Sequence, residues 1–120
     1  MMRRRLLNTW MLQGLVAPLL ACSTLGQVHA QDDMPVARIE FNDGAVNTRL
    51  IEVPARTRFR LEMVNTGKTP AEFEARSLGV EIVIPPGATR TRAIPPKLAG
   101  KYPFFDDFHM ETTQGHIIVK

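Results

Sequence analysis

From residue 36 onward the chain alternates apolar and polar residues in short runs, and Pro or Gly breaks in between most of them. A period of two puts successive side chains on opposite faces, so each run is expected to be a half-buried strand and not a helix. The clearest is residues 57–65, where Phe59, Leu61 and Met63 share one face and Arg58, Arg60 and Glu62 the other. Residues 36–41 repeat the pattern with Ala37, Ile39 and Phe41 inward, and Asn42-Asp43-Gly44 signals a turn. Further strands are expected at Leu50–Val53, around Phe73, at Val80–Ile84 and, more weakly alternating, at residues 88–94. The last two run through Tyr102 and Phe104 and through Gly115–Val119. No long window carries a helical period, and only a short turn near Arg76–Leu78 is expected to be helical. Seven to eight short strands with this punctuation predict an all-β, Greek-key β-sandwich.

The first 30 residues follow another pattern. Arg3, Arg4 and Arg5 precede a mostly apolar stretch, residues 10–25, and Val28-His29-Ala30 fits a small-x-small cleavage site before the polar Gln31-Asp32-Asp33. The layout predicts a signal peptide over residues 1–30, cleaved to leave a domain over residues 31–120. The apolar stretch is broken by Gln13, Gly14 and Pro18, whereas a spanning helix needs about 20 apolar residues, so no stable membrane span is expected in the mature form. Arg3-Arg4-Arg5-Leu6-Leu7 is compatible with Sec or twin-arginine export. Leu19-Leu20-Ala21-Cys22 resembles a lipoprotein box, but cleavage after Ala30 is preferred because a polar stretch follows at once. Both routes predict a periplasmic domain.

The three arginines of that segment supply the whole formal charge of +3, and the other 12 basic residues balance the 12 acidic ones. A balanced domain gives no electrostatic reason to expect nucleic acid as a partner. Cys22 is the one cysteine, so the expected mature domain has no thiol for a disulfide or a metal thiolate. With only His109 and His116 beyond the leader, spacing suggests no nucleophile–base pair, and there is no Gly-rich phosphate loop. Hydrolase and transferase chemistry is not expected. Any activity would be redox chemistry at a bound metal.

Residues 101–120 are where such a metal is expected. Asp106-Asp107-Phe108-His109-Met110-Glu111 forms a polar turn between two strands, and rigid ladders joined by a loop of carboxylate, imidazole and thioether suit metal binding. By strand parity Asp106 points inward with Tyr102 and Phe104. A buried carboxylate needs a cation, a donor or a proton, and an arginine such as Arg58 or Arg76 would serve as well as a metal ion. Imidazole is the commonest metal ligand, which singles out His109. Met110 fits loop packing as readily as ligation, and Glu72 and Glu74, both facing away from Phe73, fit solvated charges as readily. His116 is opposite in parity to Ile117 and Val119, a structural or surface position.

Gly100-x-Tyr102-x-Phe104, then His109, then Gly115-His116-Ile117-Ile118-Val119 resembles the C-terminal ligand loop of cupredoxins. Asn65-Thr66-Gly67 with Pro70-Ala71-Glu72-Phe73 resembles the loop that holds their first histidine, and Pro85-Pro86-Gly87-Ala88-Thr89 the turn between. The resemblance spans residues 36–120 and implies a cupredoxin-like sandwich. A blue-copper member would carry histidine at position 71, cysteine at 106, histidine at 109 and methionine near 113; here these are Ala71, Asp106, His109 and Thr113. Without the thiolate, no type 1 blue copper is expected.

Pro70-Ala71-Glu72-Phe73-Glu74 and Phe104-Phe105-Asp106-Asp107-Phe108-His109 resemble instead the cupredoxin-like domains of bacterial periplasmic ferrous-iron uptake systems. That resemblance implies a copper or iron ion as cofactor, with Glu72, Asp106, His109 and Met110 as the candidate metal set. It implies at most a ferroxidase component as an enzyme, and an inner-membrane iron permease with other periplasmic uptake components as partners. Oxygen donors with one imidazole suit Fe(III), Fe(II) or Cu(II) better than Cu(I). Two alternatives stand beside it. One is a copper carrier or electron-transfer protein with a non-blue site built on Met63, Met110 and His109. The other is a metal-free interaction domain that docks through edge strands or through Phe105 and Phe108.

Overall fold

The alternating runs become strands, and the structure, a computed structural model, describes residues 33–120 together with Gly14 and Gly26. The expected signal peptide, its arginine cluster and Cys22 lie outside the described residues. In order the strands are β1 (Val36–Asn42), β2 (Ala45–Val46), β3 (Leu50–Val53), β4 (Phe59–Asn65), β5 (Ala71–Ala75), β6 (Val80–Ile84), β7 (Thr89–Ile94), β8 (Gly100–Asp106) and β9 (Gly115–Val119). Single 3-10 turns occupy Arg76–Leu78, as expected, and Asp107–His109. Among the described residues no helix is long and apolar enough to cross a membrane.

The strands form two sheets, ordered β2-β1-β4-β7 and β3-β9-β8-β5-β6. β1 runs parallel to β4 and β3 parallel to β9, while the other pairs are antiparallel. β2 exceeds the seven or eight strands expected. It is two residues long, too short to show a period, and arises because Asp43 and Gly44 take positive φ (44° and 85°) and fold the chain back on β1. Asn47 then accepts the Glu40 N–H at 2.8 Å and caps the pairing.

Burial follows the expected parity. Ala37, Ile39 and Phe41 of β1 meet Phe59, Leu61 and Met63 of β4 in the core. The rings of Phe41, Phe73 and Phe104 bridge the sheets, with centroids 6.2 Å apart for the first pair and 5.7 Å for the second. Aromatic contacts at these separations add to the hydrophobic gain of burial. Met63 is fully buried in this core.

β7 departs from the rule. Arg90 and Arg92 pair with Met63 and Leu61 and so lie on their side of the sheet, yet both are exposed. The sandwich is open along this edge, and charges on the inner side of an edge strand discourage pairing with another chain. At the opposite sheet β8, β9 and β5 converge below the loop 106–114. Gly115 permits that convergence: a Cβ there would run into the Phe104 ring and the Arg49 carbonyl.

Candidate metal centre

Asp106 ends β8 opposite Phe73 of β5, and strand parity turns its side chain into the sandwich, where only 1% of it is exposed. It also caps the 3-10 turn that follows. Its Oδ1 accepts the Phe108 N–H at 3.1 Å and, from across the sheet, the Glu72 N–H at 2.9 Å. Its Oδ2 lies 3.0 Å from Nδ1 of His109. The donors that satisfy this carboxylate are therefore two main-chain amides and one imidazole. The guanidinium expected as one possible partner is not there, since Arg76 pairs with Glu74.

His109 closes the 3-10 turn, three residues after Asp106, with a side chain 35% exposed. An ionised carboxylate only accepts, so a hydrogen bond to it from this ring requires the proton on Nδ1. Gly44 covers another side of the ring: a Cβ added there would sit 2.9 Å from His109 Cδ2. The edge left over is Cε1–Nε2, and Nε2 has no hydrogen-bond partner among the described residues.

The loop beyond is tied down. Thr113 is fully buried; its hydroxyl accepts the Asp106 N–H at 2.8 Å and donates to the His109 carbonyl at 2.7 Å. Thr112 donates to the Gly44 carbonyl at 2.6 Å, and the Arg49 guanidinium donates to the carbonyls of Thr112 and Gln114 at 2.8 and 2.9 Å. On the facing loop Asp43 accepts the Thr69 hydroxyl at 2.7 Å and the Thr69 N–H at 2.9 Å. These bonds, the hydroxyl first, hold the Asp43 carboxyl below its ordinary value, and nearby His109 adds to the effect. Buried Asn65 donates to the carbonyls of Thr69 and Ile84 at 2.8 and 2.9 Å and so fixes the loop before β5.

The four candidate ligands are placed unequally. Asp106 and His109 touch. Met110 lies beside them, 44% exposed, in an open hollow with Phe108, Glu111 and Thr112. Glu72 reaches Asp106 with its main-chain N–H only; its carboxyl faces Glu81, Asp107 and Glu74 on the outer side of the sheet. Partial burial first, and then those neighbouring carboxyls, raise its pKa. Among the described residues no three His, Cys, Asp or Glu side chains are grouped closely enough to hold a metal by themselves. A thiolate-copper centre does not fit the residues present. Ala71 offers a buried methyl, the Asp106 oxygens are taken by donors, and the Thr113 hydroxyl is used within the loop.

Sequence reasoning missed Asp43 and Gly44 as neighbours of His109. Their Asp-Gly dipeptide announced a turn, but the contact joins positions far apart in the chain and has no local signature. The Thr113 hydroxyl had one available signal, since it stands where a cupredoxin would place its methionine.

The profile of the cupredoxin-like domain family matches residues 15–119. An uncharacterized protein of Rickettsia prowazekii (strain Madrid E) is 34% identical over 94 residues, which cover 78% of this chain and 75% of that protein. Among solved structures, the metal-binding domain of the Cu(I)-exporting P-type ATPase CopA of Streptococcus pneumoniae D39, with Cu(I), superposes with a TM-score of 0.62. It shares 13% identity over 75% of this chain and 89% of that one. Reduced auracyanin of the photosynthetic bacterium Roseiflexus castenholzii gives a TM-score of 0.59 at 15% identity, over 71% of this chain and 96% of that one. At such identities the two structures speak for a shared fold.

Proposed function

The chain belongs to the family of cupredoxin-like domains, and from that premise we propose that it is a periplasmic metal-binding accessory of ferrous-iron uptake that takes a copper or iron ion at the Asp106–His109 loop. One observation carries this reading. A partly exposed imidazole is held by a buried carboxylate at one nitrogen, and its other nitrogen has no hydrogen-bond partner among the described residues. Metal-ligating histidines are commonly oriented this way. The shared fold adds support, since one neighbour of this chain is a metal-binding domain seen with Cu(I).

His109 would hold the ion, with Met110 beside it; of the other two residues expected, the Asp106 carboxylate is engaged with donors and that of Glu72 lies on the outer side of the sheet. A bound copper or iron ion would supply one-electron redox chemistry, and nearby carboxylates would favour its higher oxidation state by charge. The chain's own residues do the holding: Asp106 orients the ring, Thr113 fixes the loop, and Gly44 closes one side. Phe108 and Met110, 52% and 44% exposed, give an inner-membrane permease an apolar contact next to the imidazole.

A metal-free interaction domain is the second reading. It is favoured by the absence, among the described residues, of a three-ligand group. Titration of the purified protein with Cu(II) and with Fe(II) separates the two. The metal reading expects binding tighter than ~10 μM, about 7 kcal/mol, and its loss in His109→Gln. No binding at that level leaves the interaction domain.

A further inference from the structure

The charges that cancel in number beyond residue 30 are not evenly placed. β1 and β4 start, and β7 ends, at one end of their sheet, because Val36 pairs with Arg60 and Phe59 with Ile94. In the other sheet β3 and β9 end, and β8 starts, where Val53 and Gly100 both pair with Val119. The segments 54–58 and 95–99 each cross from one sheet to the other there, and the Arg56 N–H donates to the Lys97 carbonyl at 2.8 Å, so the two lie side by side. The loop 106–114 and the Asp43–Gly44 turn lie at the opposite end, where β8 finishes at Asp106 and β1 at Asn42.

Four cations gather on the crossing segments and at the start of β8: Arg56, Arg58, Lys97 and Lys101. None of the four is in an ion pair among the described residues, whereas Lys120 is held by Glu52 and Arg76 by Glu74. Against them stands Asp33, ahead of β1. The opposite end carries exposed Asp43, Asp107 and Glu111, with Lys68 among them. Between Lys97 and Lys101 lies Leu98, 68% exposed, more than any other large hydrophobic residue described. It is held there. Its carbonyl accepts the Tyr102 hydroxyl at 2.7 Å, and Pro95 and Pro96 stiffen the chain before it.

One exposed leucine is ordinary on a protein surface. A leucine fixed among four unpaired cations is the combination with which peripheral proteins sit on charged bilayers: the cations meet headgroup phosphates and the apolar side chain enters beneath them. An acidic protein would satisfy the cations and leave Leu98 without a use. The chain also enters β1 at this end, where the Arg60 N–H bonds the Pro35 carbonyl at 2.8 Å. An apolar leader lodged in the bilayer would hold this same end towards lipid.

We propose that this end of the sandwich docks on an anionic lipid bilayer, with Arg56, Arg58, Lys97 and Lys101 on the headgroups and Leu98 at the acyl boundary. The loop 106–114 then faces away from the lipid, and a permease would meet it through parts that stand clear of the bilayer. The proposal is independent of whether that loop takes a metal.

Vesicle flotation tests it, with phosphatidylglycerol–phosphatidylcholine vesicles against phosphatidylcholine alone. Every strand and every core residue described lies within residues 36–119, so a chain of residues 31–120 carries the whole sandwich and omits the apolar stretch that would bind lipid by itself. It should bind the anionic vesicles only, and added salt should release it. Lys97→Gln with Lys101→Gln should weaken binding roughly 25-fold, since each such cation contributes about fivefold. Lys68→Gln with Arg90→Gln removes the same charge nearer the loop and should change little. Residues 31–120 contain no tryptophan, so Leu98→Trp and Phe108→Trp report on the two ends separately. The indole at 98 should shift to the blue and escape an aqueous quencher on anionic vesicles, and the one at 108 should not. No binding to anionic vesicles, equal losses from the two glutamine pairs, or a shift at 108 without one at 98 would each overturn the proposal. Where the glutamine pair at 97 and 101 does not fold, the two tryptophan reporters decide.

Discussion

Glu72 and Asp43 flank the loop from opposite sides, and their environments push them in opposite directions. Partial burial, followed by the Glu81, Asp107 and Glu74 carboxyls, raises the Glu72 pKa, so folding favours its protonated form. Its contribution to stability is complete below the ordinary carboxylate range and is lost as pH rises through the raised value. Glu72→Gln should therefore melt higher than wild type at neutral pH, with the difference closing in acid; melting curves across pH measure it. Asp43 is the converse. Bonds from Thr69 lower its pKa, so its contribution is present above the ordinary range and is lost as pH falls through the lowered value. Asp43→Ala should melt lower than wild type at neutral pH and converge with it in strong acid. Thr113→Val keeps the shape but leaves the Asp106 N–H and the His109 carbonyl without a partner, at a cost of about 1–3 kcal/mol measurable by urea unfolding. At this scale parity along β8 announced that Asp106 points inward, and a spacing of three brought His109 near it. Its amide partner from Glu72 was hidden, because that bond comes from a strand 34 residues away.

Strands were legible wherever they were long enough to alternate. The run 57–65 gave β4 because Phe59, Leu61 and Met63 could be buried only together, and they are. β2 escaped because two residues carry no period, and it depends on the left-handed turn at Asp43 and Gly44. The weak alternation before Pro95 also has a cause: β7 is an open edge, where Arg90 and Arg92 replace the apolar residues that a covered strand would need. The β8–β9 pair makes the sharpest demand on sequence. Gly115→Ala would press a methyl between the Phe104 ring and the Arg49 carbonyl, neither of which can yield without disturbing the core or the β3–β9 pairing. Overpacking of this kind costs typically ~1–3 kcal/mol, and chemical denaturation should show a loss in that range. A stability equal to wild type would mean that the loop at Arg49 gives way more easily than its bonds to Thr112 and Gln114 imply.

Over the whole molecule, two sheets close on a core of aromatic and branched residues. Chelator should return a metal-loaded sample to the melting temperature of the metal-free protein. A binding metal should raise stability only by mass action, about 2.7 kcal/mol at a hundredfold excess over Kd. The order of strands within each sheet had no local signal, since β1 meets β4 and β3 meets β9 across long stretches of chain. The motifs resembling cupredoxins named a Greek-key sandwich without an order of strands inside its sheets, and the pairing of Asp106 with His109 needed the folded loop. The most direct measurement is electron paramagnetic resonance of stoichiometric Cu(II) with wild type and with His109→Gln. The account predicts a non-blue copper signal with nitrogen coupling in wild type and none of that coupling in the variant. The same nitrogen-coupled signal from both proteins would contradict it.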